Sequence, residues 1–233
     1  MLSLLTYTHS NASDVQQPYF SRINKYFNVS KHIILSNVNI ETTDTCVVYN
    51  EKTDYYLQII KGLNNITSDF VIYSQEDYIL FDYVNKTKLY NIIDEMKINP
   101  DISFVRLIHS GIDFEKIQYN SDLFFLNNNH PYFFSTQITI WRKDSLIEMF
   151  NLSKVKTIWE ESSNSIFLKR LNKIGLCVNQ TGGIVGGHYN SIIYPYIATA
   201  VVRGKWNTKE YPNELNSIFD EYNIDKNKRG TNE

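Results

Sequence analysis

Short hydrophobic runs alternate with stripes of helical spacing through the first half of the chain. Leu2 to Thr8 reads as a buried strand. Asp14 can cap a helix that carries Pro18 in its first turn and Tyr19, Phe20, Ile23 and Phe27 on one face. Ile33 to Leu35 and Cys46 to Tyr49 are β-rich runs. From Asp54, the residues Tyr55, Tyr56, Ile59, Ile60 and Leu63 form one helical stripe. That helix feeds a strand over Phe70 to Tyr73. Leu89, Ile92, Ile93 and Met96 mark a further helix, stopped ahead of Pro100, and Ile102 to Ile108 is the next strand.

Strand and helix in strict alternation imply a largely parallel sheet covered by helices, in which ligands bind beyond the carboxyl ends of the strands. The second half is patterned differently. Phe133 to Arg142 reads as a strand and Asp144 to Phe150 as a short helix. A helix from about Trp159 to Lys173 is expected to turn Ile166, Phe167, Leu171 and Ile174 inward. Leu176 to Asn179 is a short strand, and the glycine-rich TGGIVGGHYNS follows it. A last helix begins at Pro212 with Leu215, Ile218, Phe219 and Tyr222 on one face, and the polar DKNKRGTNE is expected to fray. With no repeat and no linker, a single domain over 1–233 is expected. Its first half covers about 1–110 and its second, differently patterned half about 111–210, with a C-terminal helix and tail over 211–233.

Composition narrows the class. The 233 residues are 42% hydrophobic and 14% aromatic, enough for a substantial core. A net charge of −2 argues against a general nucleic-acid binder. Cys46 and Cys177 lie in apolar contexts, with no CxxC or Cys/His spacing for zinc, and read as buried thiols of a reducing compartment. MLSLLTYTH lacks the build of a signal peptide, and no run reaches the ~20 apolar residues of a membrane span. The Asn-X-Ser/Thr triplets at Asn11, Asn28, Asn65, Asn85, Asn151 and Asn179 then read as chance in an Asn-rich chain, and a cytoplasmic location is expected.

The candidate chemistry begins where the strand Phe70 to Tyr73 runs into Gln75-Glu76-Asp77. Carboxylates at the carboxyl end of a parallel strand can ligate a hard divalent cation, and a plain solvated turn is the alternative. This arrangement resembles the nucleotide-sugar-binding half of GT-A glycosyltransferases, which place a "DxD" or "EDD" turn after a central strand. The stretch Asn50…Tyr55…Ile59…Gly62-Leu63…Asp69-Phe70-Val71 is similar to that family, as are FFSTQITIWRKDSL and IWEESSNSIFLKR farther on.

The resemblance spans roughly residues 1 to 190 and implies a GT-A-like α/β/α sandwich with a mostly parallel central sheet. It implies a Mn²⁺ or Mg²⁺ ion on Asp77, holding the diphosphate of a UDP- or GDP-linked sugar, with Glu76 facing the ribose or a metal-bound water. Gln75 stands where the family commonly has an acid. Thr8, Ser10 and Asn11, after the first strand, and Tyr49 and Asn50, before the second helix, match the family's contacts to the nucleotide.

Further acids and bases complete the candidate set. Glu160 and Glu161 open a helix, where an ionised Glu within reach of an acceptor hydroxyl can act as a base, although acids also simply favour a first turn. His188 follows two glycines and could ligate a metal or a phosphate oxygen, a role the resemblance also gives to a C-terminal His. Arg203 and Lys205 could close over a pyrophosphate, and Trp206 could pack on a sugar face. His109 and His130 read first as structural. The expected function is glycosyl transfer from a nucleotide-diphosphate sugar to a glycan acceptor hydroxyl, inverting or retaining. The alternatives are a nucleotidyltransferase, or a non-catalytic carbohydrate- or protein-binding domain with a degraded site.

Overall fold

Leu2–Tyr7 (β1) lies at the centre of the molecule because its side chains are buried on both sides: Leu4 packs into one core and Leu5 into the other. A computed structural model of the chain describes residues 1–109, 117–158, 161–179, 184–185 and 187–232. Among them, His32–Ser36 (β2), Thr45–Val48 (β3), Phe70–Gln75 (β4), Ile102–Arg106 (β5), Leu123–Phe125 (β6), Thr139–Arg142 (β7) and Ile174–Val178 (β8) join β1 in one eight-stranded sheet. The order is β3-β2-β1-β4-β7-β5-β8-β6. β1 to β4 pair in parallel, β7 runs against both β4 and β5, and β6 runs against β8. β4, β5 and β8 therefore share the direction of β1.

Helices cover both faces. Ser13–Arg22 (α1), Lys86–Ile98 (α3) and Pro212–Tyr222 (α6) bury Tyr19, Leu89, Met96 and Leu215 in one core with Leu4, Ile72 and Ile140. Tyr55–Leu63 (α2), Lys143–Ser153 (α4) and Glu161–Arg170 (α5) bury Ile59, Met149 and Leu168 in the other with Leu5, Val71 and Trp141. Strands buried on both sides read as continuous apolar runs, which is why β1 and β4 are plain in the sequence. The expected α/β/α sandwich with a mostly parallel sheet is what forms.

The differences have local causes. β7 is shorter than the expected strand, because Phe133 and Phe134 are buried from a loop. α5 ends at Arg170, Ile166 points outward, Leu168 is buried together with Asn164 and Ser165, and Ile174 already belongs to β8. Trp159, the expected start of that helix, lies outside the described residues.

The tail does not fray. Lys226–Arg229 (α7) is capped by the Asp225 carboxylate, and Thr231 pairs with Trp206. The Trp206 backbone N–H donates to Gly230 O at 3.0 Å, and Asn232 N donates to Trp206 O at 3.0 Å. The Arg229 guanidinium sits 5.8 Å above the Trp206 ring and forks onto the Asp14 carboxylate. Asp14 thus serves as an ion-pair partner; Ala12 holds the cap position of α1, and the His9 ring caps the short 3-10 turn Ser10–Ala12 before it by accepting from Asn11 N.

Gly175 in β8 lets two aromatic rings close over the sheet. A Cβ there would lie 2.2 Å from Phe104 Cζ and 2.8 Å from Phe133 Cε2. Phe104 is itself stacked on Trp141, ring centres 4.6 Å apart, so it has nowhere to retreat. Gly175→Ala is expected to cost about 1–3 kcal/mol through overpacking, seen as a lower urea midpoint with an unchanged slope. An unaltered midpoint would show that the rings are not locked.

Candidate functional site

The carboxyl ends of β1, β2, β3, β4 and β5 lie along one edge of the sheet, and Thr8, Asn37, Asn50 and Glu76 follow closely on the first four of them. Thr8 is buried; its hydroxyl accepts from Gln16 Nε2 at 3.0 Å and lies within hydrogen-bonding reach of Glu76. This contact follows from the register, which sets Tyr7 beside Gln75 and hence Thr8 beside the acidic turn.

Ser10 N donates to Asn37 Oδ1 at 2.8 Å, and Asn37 Nδ2 donates to Ser10 Oγ at 3.0 Å and Glu51 Oε1 at 2.7 Å. His9 also bonds Glu51. Since His9 Nδ1 accepts from Asn11 N, Nε2 must carry the proton that Glu51 receives. Asn37 and Glu51 therefore belong to this edge, although neither stands out in the sequence.

Tyr49 is buried, its ring stacked 5.2 Å from that of Tyr7 and its hydroxyl donating to Thr8 O at 3.1 Å. It shapes the edge from within. Asn50 is exposed beside it and turns the chain by accepting from Lys52 N.

The acidic turn is only partly open to solvent. Burial pushes the Glu76 carboxyl up to about 8, helped by the charge of Asp77, and Arg229 and the Thr8 hydroxyl pull it only part of the way back. Burial likewise pushes Asp77 up to about 7, against the backbone N–H groups of Asp77 and Val201 and the charge of Arg229. Desolvation outweighs those hydrogen bonds, so the turn holds two carboxylates that gain by the arrival of a cation.

The wall above Asp77 is Val201–Val202 (β11) turning through Arg203 and Gly204 into Lys205–Trp206 (β12). Both turn residues have positive φ, 50° and 78°. That geometry leaves Arg203 and Lys205 exposed at the tip. Trp206 is fully buried with its ring edge-on to Phe219, so it is a core residue and not the sugar platform expected of it. A cleft of about 630 Å³ lies beyond the hairpin, between Asn11, Asp14, Gly204, Lys228 and Arg229.

A separate cavity of about 270 Å³ is lined by Arg106, Tyr132, Ser135, Thr136, Glu161 and His188, among others. Glu161 reaches it from the first turn of α5, where its Oε1 accepts from Thr136 N at 2.6 Å and Thr136 Oγ1 at 3.0 Å. Because Thr136 Oγ1 donates to Glu161, it must accept from Tyr78 OH at 3.2 Å. Tyr78 follows Asp77 directly, so two hydroxyls tie the acidic turn to Glu161.

His188 comes from the second strand of the hairpin Ile184–Val185 (β9) and His188–Tyr189 (β10), which places it in the Glu161 cavity. Among the described residues, no three His, Cys, Asp or Glu side chains gather as a metal cage. Glu160 lies outside the described residues. His130 accepts from Tyr132 N at 3.1 Å, and His109 is buried against the Phe124 ring. Cys177 is buried and Cys46, partly open, is also a free thiol. No helix among the described residues is long and apolar enough to cross a membrane.

Arg106 was not among the expected site residues. Its signal was present: a lone cation ending the otherwise uncharged strand ISFVR.

No protein-family model and no curated protein sequence matches this chain. Solved structures do match it in fold. Residues 1–349 of S. aureus TarS, in complex with UDP-GlcNAc, align with a TM-score of 0.51 at 11% identity, covering 98% of this chain and 69% of that one. The mannosyltransferase PcManGT from Pyrobaculum calidifontis, in complex with GDP-Man and Mn²⁺, gives 0.50 at 10%, covering 80% and 58%. A CMP:2-keto-3-deoxy-manno-octonic acid synthetase complexed with CTP gives 0.51 at 10%, covering 95% and 99%. At such identities the likeness is one of fold alone: this chain is an α/β protein with a mostly parallel central sheet.

Proposed function

We propose that the protein is a nucleotide-sugar-dependent glycosyltransferase. The observation that carries this reading is the pairing of two acidic stations on one sheet edge, the half-buried Glu76-Asp77 turn and the cavity around Glu161, linked through Tyr78 and Thr136. In this reading the nucleotide lies over Thr8, Ser10, Asn11 and Asn50. Its diphosphate reaches the acidic turn beneath the hairpin that bears Arg203 and Lys205.

Asp77, with Glu76 beside it, offers the hard oxygen donors that Mn²⁺ or Mg²⁺ prefers, and two protein carboxylates suit an ion that takes its other oxygens from the substrate. Such an ion would neutralise the charge of the departing diphosphate. Glu161 accepts the proton of the acceptor hydroxyl as that oxygen attacks the anomeric carbon, and the diphosphate leaves with the bonding pair. His188 belongs, by its place in the cavity, to the acceptor rather than to the metal.

Nucleotidyl transfer is the second reading, favoured by the near full-length likeness to the CTP-complexed synthetase. Against it stands the loop after β1, THSNA, which has neither glycine nor Lys/Arg to grip a triphosphate and is pinned by Asn37 and Glu51. Calorimetry with UDP and GDP, with and without Mn²⁺, is expected to show binding of at least one nucleotide, strengthened by the ion. With a nucleotide sugar, the product is expected to be a nucleoside diphosphate. Pyrophosphate released from a triphosphate and a sugar would establish the second reading, and failure of both nucleotides to bind would defeat the first.

A further inference from the structure

Two arginines are buried in this molecule, and they differ in one respect. Arg22 is neutralised by Glu221. Arg106, only 3% exposed, has no carboxylate within ion-pair distance among the described residues. Its Nη2 donates to the carbonyls of Tyr132 (2.7 Å) and Phe133 (3.0 Å), while its Nε has no acceptor. Glu161 is near enough to act on it electrostatically, but the Oε1 of that carboxylate is occupied by Thr136.

A buried cation without a counter-ion is costly, and proteins keep one where a ligand supplies the missing charge. Arg106 also forms part of the wall of the 270 Å³ cavity that holds Glu161 and His188. Its field reaches His130, whose pKa is held below the ordinary value by burial and then by Arg106.

We propose that Arg106 is an anion-binding residue of the acceptor site, and that the acceptor is a hydroxyl compound carrying a phosphate or carboxylate group. The anionic group sits on the guanidinium while a hydroxyl of the same molecule faces Glu161. This assignment of the acceptor rests on the glycosyltransferase reading above; the anion site itself does not. Guanidinium suits the task because its planar fork matches carboxylate and phosphate oxygens. The cavity volume suits a small sugar or polyol derivative rather than a nucleotide sugar.

The test uses the full chain with ¹⁵N-labelled arginine. The Arg106 Nε–H resonance is assigned by its loss in Arg106→Lys, with Ser135→Leu as a second variant that fills the cavity without touching the two carbonyl bonds. Titration with glycerol 3-phosphate and with glucuronate is expected to move that resonance saturably, at concentrations about tenfold or more below any effect of glycerol or glucose. Ser135→Leu is expected to abolish the response.

A response to glycerol 3-phosphate alone identifies a phosphorylated acceptor, and one to glucuronate alone a carboxylated one. If neither anion moves the resonance while UDP or GDP still binds with Mn²⁺, the anion site falls and the glycosyltransferase reading stands. If the anions bind and no nucleotide does, the anion site stands and that reading falls. An equal response to charged and neutral compounds, or one that survives in Ser135→Leu, also overturns the proposal.

Discussion

Asp77→Asn protein is expected to melt at a higher temperature than the native chain above about pH 7, and to lose metal-strengthened nucleotide binding with the same substitution. The two effects share a cause. Asp77 titrates at about 7 in the folded protein against an ordinary value of 3.8, because burial penalises its charge more than Arg229 and two backbone N–H groups reward it. A carboxyl raised in this way makes the folded state bind protons more tightly than the unfolded one between those two values. Stability therefore falls as pH rises from about 4 to 7, and the penalty is complete above the folded value. Glu76, raised to about 8, extends the decline by roughly one pH unit and loses part of its own shift once the charge of Asp77 is gone.

An amide at position 77 removes the penalty and, with it, the anionic oxygen that a divalent ion requires. Melting curves from pH 4 to 9 are expected to diverge as pH rises, with the variant the more stable above pH 7. Mn²⁺ with UDP or GDP is expected to raise the melting temperature of the native chain only. Parallel pH curves, or an undiminished metal effect in the variant, would dismiss Asp77 as the metal ligand.

How far the sequence displayed this site depended on whether each residue's partners lay close along the chain. β1, α2, β4 and the acidic turn were legible because burial on both sheet faces writes continuous apolar runs, which break where the chain reaches the ligand edge. Glu161 was legible as a first-turn acid. Trp206 misled because an aromatic ring serves a core as readily as a ligand, and only packing against Phe219 decides between them. The tail misled for a related reason: its order comes from Asp14 and Trp206, far away in sequence. Arg106 escaped notice because a charge at the end of a strand usually faces water. Its burial arises only when the carbonyls of Tyr132 and Phe133 fold over it. β6, a three-residue strand, carries too little pattern to be read at all.

Glu161→Gln is expected to lower turnover by about 10²–10⁴-fold, the range for a lost general base, while leaving nucleotide affinity unchanged. The substitution is close to isosteric, and its amide oxygen can still accept from Thr136 N and Oγ1, so the cavity and the link to Tyr78 persist. What it cannot do is take up a proton. The Oε2 of Glu161 accepts no hydrogen bond among the described residues, which leaves that oxygen for an acceptor hydroxyl. Since the acidic turn is untouched, the loss should fall on kcat with the Kd for UDP or GDP preserved. Turnover unchanged in Glu161→Gln, with nucleotide still bound, would remove Glu161 as the base and point to a transfer in which the leaving phosphate takes the proton. That outcome would leave Asp77 and the nucleotide edge standing, so the two substitutions examine the two halves of the site independently.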